Sequence, residues 1–163
     1  MKIRDIELFQ VDIPPIAAIA KYAPKIFDLI LCRVVTDEGL VGLGEAYGFP
    51  ADFEAAKQRL IGSDPLAIDP FTEEDPFECA LLDITAQAAG LPLHRFFGEQ
   101  VRAKVPVSYW SRPMEPAETA AEAEVGARLG FTNHKLKARP WNVVETVRLM
   151  KEAVGSDYSV GLD

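Results

Sequence analysis

The chain has 163 residues, of which 48% are hydrophobic and 26% are charged, and its formal net charge is −8. This composition is typical of a folded globular protein. The acidic balance argues against general affinity for nucleic acid or for an anionic membrane surface, because both require a basic patch. The N-terminus carries no basic segment followed by an apolar one, and no apolar run reaches membrane-spanning length, so we expect a cytoplasmic protein.

The first half of the sequence predicts a small α+β domain. Residues 2–13 alternate loosely, and "DLILCRVVTDEGLVGLGEA" has two apolar runs around a turn, which together predict a three-stranded antiparallel meander. The stretches "ADFEAAKQRLIG" and "DPFECALLDITAQAAG" predict helices. In the second helix we expect Asp75 as the cap and Gly90 just past the end. Its expected buried face consists of Phe77, Ala80, Leu81, Ile84 and Ala88.

The two cysteines lie in different predicted elements. Cys32 falls in a strand-like run and Cys79 in a helix-like run, without C-x-x-C spacing. We therefore expect two buried free thiols, because unpaired cysteine is usually buried.

After Gly98 the pattern changes to alternating strands and helices. The strands are "VPVSYW", "NHKLKA" and "YSVGLD". The helix "EPAETAAEAEVGARLG" should stop at Gly130, and "NVVETVRLMKEAVG" should be capped at Asn142. This order predicts parallel βαβ units. The expected helix faces are Ala121, Val125 and Leu129 in the first, and Val143, Val147, Met150 and Val154 in the second.

We predict a capping α+β domain over residues 1–98 and the start of a β/α (TIM-type) barrel over residues 99–163. A closed barrel of this type needs about eight repeats and about 250 residues. The chain therefore holds an incomplete barrel with three strands and two helices.

Two lysines stand one residue apart in the second barrel strand. Side chains two residues apart point to the same face, so Lys135 and Lys137 should face together. Their mutual repulsion in a partly dry interior would favour the neutral form that a general base requires. The alternatives are two solvent-exposed lysines, or a lysine paired with a carboxylate. The pair lies just before a helix, where β/α barrels build their active sites.

Asp163 ends the next strand, and its carboxylate should lie beside the lysines at the same edge. An aspartate in this position is also common as a helix cap or turn residue. Magnesium usually takes oxygen ligands from more than one carboxylate, and this edge offers Asp163 alone.

The sequence resembles the enolase superfamily, in its mandelate racemase and muconate lactonizing enzyme branch. The resemblance extends over nearly the whole chain and is carried by "TDEGLVGLGEA", "ALLDITAQAAGLPLHRFFG", "HKLK" and "AVGSDYSVGLD" in this order. It implies magnesium held by three carboxylates on successive barrel strands. It also implies abstraction of the proton α to a substrate carboxylate, which gives an enediolate.

The resemblance assigns roles by position. Lys137 would be the general base, Lys135 would tune its basicity and contact the substrate carboxylate, and Asp163 would be the first Mg²⁺ ligand. The substrate would be a small carboxylic acid. A sugar-acid dehydratase is our first choice, with racemase or cycloisomerase as alternatives, and we expect a homo-oligomer.

Two loops of the capping domain are candidates for substrate binding. The loop "IPPIAAIAKYAPKIF" is long enough to act as a lid and contains Lys21 and Tyr22. The loop "EAYGFP" contains Tyr47 and Phe49. The alternative for both is ordinary apolar packing.

Two departures from the family pattern affect the functional interpretation. The chain stops at Asp163, and "SDPLAIDPFTEEDPF" is shorter than the helical stretch that the family carries there. We expect a parent protein that is a magnesium-dependent enzyme and an isolated chain that is inactive. Its third strand would have an unpaired edge, which predicts association. The alternative is a non-catalytic, truncated or degenerate family member that serves as a binding or oligomerising module.

Overall fold

The computed structural model describes residues 1–22 and 29–163, with the backbone alone for residues 18 and 19. The chain divides into two compact units. One comprises Met1–Pro14 and the described part of Lys25–Val101, and the other comprises the described part of Pro15–Pro24 and Arg102–Asp163. An antiparallel sheet with helices and a parallel strand–helix unit confirm the predicted capping domain and barrel start.

The first unit contains the predicted meander. Its strands are β1 (Ile3–Val11), β2 (Leu29–Thr36) and β3 (Val41–Tyr47), paired antiparallel in that order. The turn between β2 and β3 is closed by the Thr36 N–H, which donates to the Leu40 carbonyl at 2.9 Å. Gly39 in this turn has a φ of +89°, a conformation that favours glycine. The hairpin prediction is thus confirmed.

Two helices complete this unit, α2 (Phe53–Leu60) and α3 (Phe77–Ala89), joined by short 3-10 turns at Pro65–Ala67 and Pro70–Thr72. A third 3-10 turn, Leu93–Phe96, follows α3. Helix α3 packs its apolar side on the sheet, which explains the period of its hydrophobic residues. The buried core consists of Ile3, Ile6, Cys32, Val34, Leu60, Phe77, Ala80, Leu81 and Ile84.

Two details of α3 differ from expectation. Pro76, not Asp75, occupies the N-cap position, because the helix begins one residue later, at Phe77. Ala88 is exposed: the side chain of the preceding Gln87 donates to the carbonyl of Val41, the first residue of β3, which places the last turn of the helix at the end of the strand. Gly90 ends the helix in the left-handed region, as predicted.

The expectation of two buried thiols holds for one cysteine. Cys32 is buried in the sheet, and burial raises the pKa of its thiol to about 12. Cys79 is exposed. It lies on α3 between the buried Phe77 and Ala80 in sequence, and a step of one or two residues turns a helical side chain away from that face.

Strand β3 and helix α3 approach so closely that two positions in the strand require glycine. A Cβ atom added at Gly44 would lie 2.0 Å from the Pro76 carbonyl oxygen, and one at Gly42 would lie 2.1 Å from the Ala80 carbonyl oxygen. The obstacle is backbone, which cannot rotate aside as a side chain can. Close packing of β3 against α3 therefore explains why the first residue of the "GEA" motif, Gly44, is a glycine.

We expect Gly44→Ala to lower the free energy of unfolding by about 1–3 kcal/mol or more, as overpacking does. Urea unfolding followed by circular dichroism measures the change. Gly161→Ala is the matched control, because a Cβ atom there would meet its nearest neighbour, the His134 carbonyl oxygen, at 3.9 Å. Equal stability of the two variants would contradict the close approach.

The second unit contains three short parallel strands, β4 (Tyr109–Ser111), β5 (Asn133–Leu136) and β6 (Ser159–Leu162). Helices α4 (Pro116–Arg128) and α5 (Val143–Val154) connect them, and the short helix α1 (Ala17–Ala20) belongs to the same unit. The strand predicted at "VPVSYW" is displaced, since pairing starts with Tyr109 opposite His134. Val105 and Val107 precede the first partner residue and are 70% and 72% exposed.

The buried side of α4 was predicted wrongly. Ala121 and Leu129 are exposed and Val125 is half-buried, whereas the buried residues are Thr119, Ala120, Ala123 and Gly126. These residues are small because the helix lies close to aromatic rings: a Cβ atom at Gly126 would be 2.8 Å from the Tyr109 ring.

The core of this unit comprises Ala120, Ala123, Leu136, Met150 and Tyr158. In α5, Met150 is buried and Val143, Val147 and Val154 are half-buried, as the predicted stripe requires. Among the described residues, no helix is both long and apolar enough to span a membrane.

Candidate active site

The ends of β5 and β6 bring together the residues that follow them. Leu136 pairs with Leu162 in the parallel ladder. The Asp163 N–H donates to the Leu136 carbonyl, and the Ala138 N–H donates to the Asp163 carbonyl, each at 3.0 Å. Lys137 and Asp163, each the first residue after its strand, are therefore held side by side by the backbone.

The two lysines and the aspartate form one charged cluster. Lys135 Nζ and Lys137 Nζ each lie 2.8 Å from the same oxygen, Asp163 Oδ2. Both amines thus point to the same side, and both pair with the carboxylate that the sequence placed beside them. Hydrogen bonds from Lys135 and then Lys137 lower the pKa of Asp163 to about 2. The three side chains are 52%, 43% and 39% exposed, so the described residues leave the cluster in contact with solvent.

Asp163 supplies the type of ligand that magnesium prefers, an ionised carboxylate. Within residues 1–22 and 29–163, no group of three or more His, Cys, Asp or Glu side chains is arranged to hold a metal ion. The donor chemistry fits magnesium, and the described residues contribute one of the several oxygens that the ion needs.

The lid candidates Lys21 and Tyr22 contact helix α4. Lys21 Nζ donates to Glu118 Oε1 at 2.8 Å, and the Tyr22 hydroxyl donates to Glu118 Oε2. These contacts raise the pKa of Lys21 and lower the pKa of Glu118. The Tyr22 oxygen also accepts from the Glu115 N–H at 3.4 Å. Sequence reasoning missed Glu118, whose partners lie almost one hundred residues away.

The remaining candidates for substrate binding, in the second loop, are exposed side chains of the first unit. Positions 23–27 of the predicted lid lie outside the described residues. Tyr47 at the end of β3 and Phe49 just after it belong to the first unit and are 75% and 58% exposed. Their part in substrate binding stays a prediction.

A buried polar pair lies on the other face of β5, which sequence reasoning also missed. His134 is fully buried, and its Nε2 is 2.7 Å from the Ser111 hydroxyl at the end of β4. The rings of Tyr109 and Tyr158 flank it edge-on, with centroids 5.3 and 6.2 Å away. The alternation of side chains along β5 could have predicted this, because a strand that turns Lys135 to one face turns His134 to the other.

Desolvation lowers the pKa of His134, although Glu122, which accepts a hydrogen bond from Tyr109, opposes the shift. In the unfolded chain, His134 therefore binds a proton near pH 6.5, whereas in the folded chain it becomes protonated only at lower pH. We expect the free energy of unfolding to be highest above pH 6.5 and to fall as the pH drops from 7 to 5.5, by at most about 1.4 kcal/mol per pH unit.

Chemical unfolding of His134→Gln across the same pH range tests this expectation. The glutamine amide can still bond Ser111 and does not titrate, so the slope should flatten. The exposed His94 gives the control, since His94→Gln should keep the slope. An unchanged slope in His134→Gln would assign the dependence to other groups.

Comparison with known proteins identifies the family to which this chain belongs. The chain is 30% identical to the D-galactonate dehydratase of Klebsiella pneumoniae (strain 342) over 165 residues, which cover 80% of this chain and 43% of that enzyme. The structure matches the L-Ala-D/L-Glu epimerase of Bacillus subtilis with a TM-score of 0.79 and 26% identity, over 100% of this chain and 53% of that one. The chain belongs to the enolase superfamily, in its mandelate racemase and muconate lactonizing enzyme branch.

Other relatives of this chain belong to the same enolase superfamily. The dipeptide epimerase of Cytophaga hutchinsonii, whose crystal structure contains Mg and the dipeptide D-Ala-L-Val, has the same fold with a TM-score of 0.80 and 24% identity, over 100% of this chain and 52% of that one. The relatives are enzymes, namely dehydratases, racemases and epimerases. The chain spans about half the length of the relatives it matches. No protein-family model matches the sequence.

Proposed function

We propose that the whole protein abstracts the proton α to the carboxylate of a small carboxylic acid, with Lys137 as the general base and Asp163 as a magnesium ligand. The observation that supports this proposal is the cluster at the ends of β5 and β6, in which Lys135 Nζ and Lys137 Nζ share one oxygen of Asp163. Strand ends that precede a helix are where β/α barrels carry out their chemistry.

Each residue of the cluster has a distinct task in this reaction. Lys137 must be neutral and free of Asp163 before it can accept a proton from carbon. Lys135 lies on the same side, and its ammonium group can contact the substrate carboxylate. Magnesium, when bound, would offset the negative charge that the substrate gains as an enediolate.

Among the reactions that follow proton abstraction, we favour dehydration of a sugar acid. The D-galactonate dehydratase carries out a reaction of this class, and it aligns with four fifths of this chain. The epimerases among the structural relatives favour racemisation or epimerisation as the second candidate. A small carboxylic acid as substrate and a homo-oligomeric assembly are parts of the same proposal.

Exchange of the α-proton in D2O, followed by proton NMR, tests the function without knowledge of the final product. The whole protein would be incubated with Mg²⁺ and with panels of sugar acids and dipeptides. We expect loss of the α-proton signal for members of one panel and no loss after removal of metal with EDTA. Absence of exchange with every acid would favour the non-catalytic alternative, a binding or oligomerising module. Exchange that persists in EDTA would contradict the metal role.

A further inference from the structure

A cavity of about 330 Å³ in the second unit has no part in the proton transfer described above. It lies where β4 and β5 lead into their helices. Its walls are Tyr22, Arg112, Pro113, Met114, Glu115, Arg139, Trp141 and Asn142. Three stretches distant in sequence therefore converge on it: the segment before residue 23 and the connections that follow two barrel strands.

The cavity concentrates positive charge in an acidic chain. The sequence has 17 basic and 25 acidic residues, yet two arginines, Arg112 and Arg139, line this one space with a single acidic residue, Glu115. Arg139 is exposed, and it donates a hydrogen bond to the carbonyl of the preceding residue, Ala138, at 3.1 Å. Guanidinium groups match the geometry of carboxylate and phosphate oxygens.

Two helices begin at the same cavity. The N-cap residue of α4 is Glu115 and that of α5 is Asn142, and both line the cavity. Within the described part of the chain, neither side chain caps its own helix with a hydrogen bond. Pro116, the first residue of α4, has no N–H, and the Val143 N–H of α5 donates to the Arg139 carbonyl at 3.0 Å, so the helices add to the positive potential through their dipoles.

The cavity lies close to the proposed base. Lys137 and Arg139 are two residues apart, so their Cα atoms are at most about 7 Å apart. Both residues line a smaller neighbouring cavity, which shares Pro113, Met114 and Asn142 with the larger one. A small molecule whose reacting carbon lies at Lys137 can therefore extend its far end toward Arg139.

We propose that this cavity, the arginine pocket, binds an anionic group at the end of the substrate remote from the reacting carbon. The substrate then carries two anionic groups, its own carboxylate and a second carboxylate or a phosphate ester at its far end, and we call an acid with two such groups a dianion. Trp141 and Met114 pack against the carbon chain between the two charges. This inference rests on the proposed function for the placement of the reacting carbon.

The test compares three acids with the same carbon skeleton on the whole protein: a hexonate, the corresponding hexarate with a second carboxylate, and the 6-phosphohexonate. We expect kcat/KM for α-proton exchange to be highest for one of the two dianions. We expect Arg139→Gln to lower that value by roughly 10- to 100-fold, mainly through KM, as loss of a charge-assisted hydrogen bond does. The same variant should change the value for the hexonate less than threefold.

Arg128→Gln is the matched control, because Arg128 ends α4, is exposed and pairs with Glu124 at 3.8 Å. It should leave the preference among the three acids unchanged. Arg139→Lys, which keeps the charge, should retain part of the preference. Equal kcat/KM for all three acids, or an equal loss for all three in Arg139→Gln, would overturn the proposal.

Calorimetric binding of the same acids separates this proposal from the proposed function. If no acid exchanges its proton but a dianion binds more tightly and Arg139→Gln removes the difference, the pocket stands and the proposed function fails. If exchange occurs and neither binding nor kcat/KM distinguishes dianions from the hexonate, the function stands and the pocket fails.

Discussion

Replacement of Lys137 by alanine is expected to reduce α-proton exchange by the whole protein by about 10²- to 10⁴-fold, the range that a general base contributes. The Lys137 side chain is 43% exposed, so its truncation should leave the fold intact. Exchange in D2O measures the first effect, and thermal unfolding measures the second.

Lys104→Ala provides the matched control for the loss of a positive charge, because Lys104 is exposed in the same unit and precedes β4 rather than following β5 or β6. It should exchange at the original rate. A Lys137→Ala protein that folds and retains near-original exchange would exclude Lys137 from the mechanism. A transfer of activity to Lys135 would appear as a residual rate that disappears in the double variant.

Asp163→Asn should weaken Mg²⁺ binding by the whole protein about tenfold or more, because the change removes the charge of the proposed ligand. Isothermal calorimetry measures the affinity. The pKa of Asp163 is lowered to about 2 by its two lysine partners. The carboxylate is therefore ionised above pH 4, and its pairing with the two lysines is lost only as the pH falls toward 2. Protonation of Asp163 should thus not limit Mg²⁺ affinity between pH 5 and 8.

Asp157→Asn is the appropriate control, because Asp157 is an exposed aspartate six residues earlier and is hydrogen-bonded to the Ser156 hydroxyl. Its affinity for Mg²⁺ should match that of the original protein. If Asp163→Asn binds the ion as tightly as Asp157→Asn does, Asp163 is not a ligand.

Local chemistry made much of the fold predictable. The turn at residues 36–39 specified the hairpin, and Gly90 and Asn142 marked helix ends that the structure confirms. The start of the strand at "VPVSYW" was predicted too early. Its apolar residues suggest a strand from Val105, but where a strand begins depends on where its partner strand begins. Strand β5 begins only at Asn133, so the valines before Tyr109 have no ladder to join.

Large residues misled the prediction of the buried side of α4. Apolar period alone selects Val125 and Leu129, yet the helix packs its smallest residues inward, because a Cβ atom added at Gly126 would lie 2.8 Å from the Tyr109 ring. The distance between a helix and its sheet depends on side chains of both, and a single segment does not contain that information.

In the candidate site, too, contacts between neighbouring strand ends could be predicted from the sequence, whereas contacts between distant segments could not. Strand alternation and the position of strand ends placed Lys135, Lys137 and Asp163 at one edge, and the structure brings them into contact. The contact of Lys21 and Tyr22 with Glu118 had no sequence signal, since it joins segments 96 and 97 residues apart. The convergence of Arg112 and Arg139 likewise depends on two connections that only the folded sheet aligns.

The membership of residues 15–22 in the second unit also affects how this protein can be divided. A fragment that starts at Arg102 would contain every barrel strand described here, but Glu118 would lose both Lys21 and Tyr22 as hydrogen-bond donors. No single cut in the chain separates the two units, because the segment is inserted between β1 and β2 of the other one. Replacement of this capping domain together with residues 15–22 would therefore also remove both hydrogen-bond donors of Glu118 in α4.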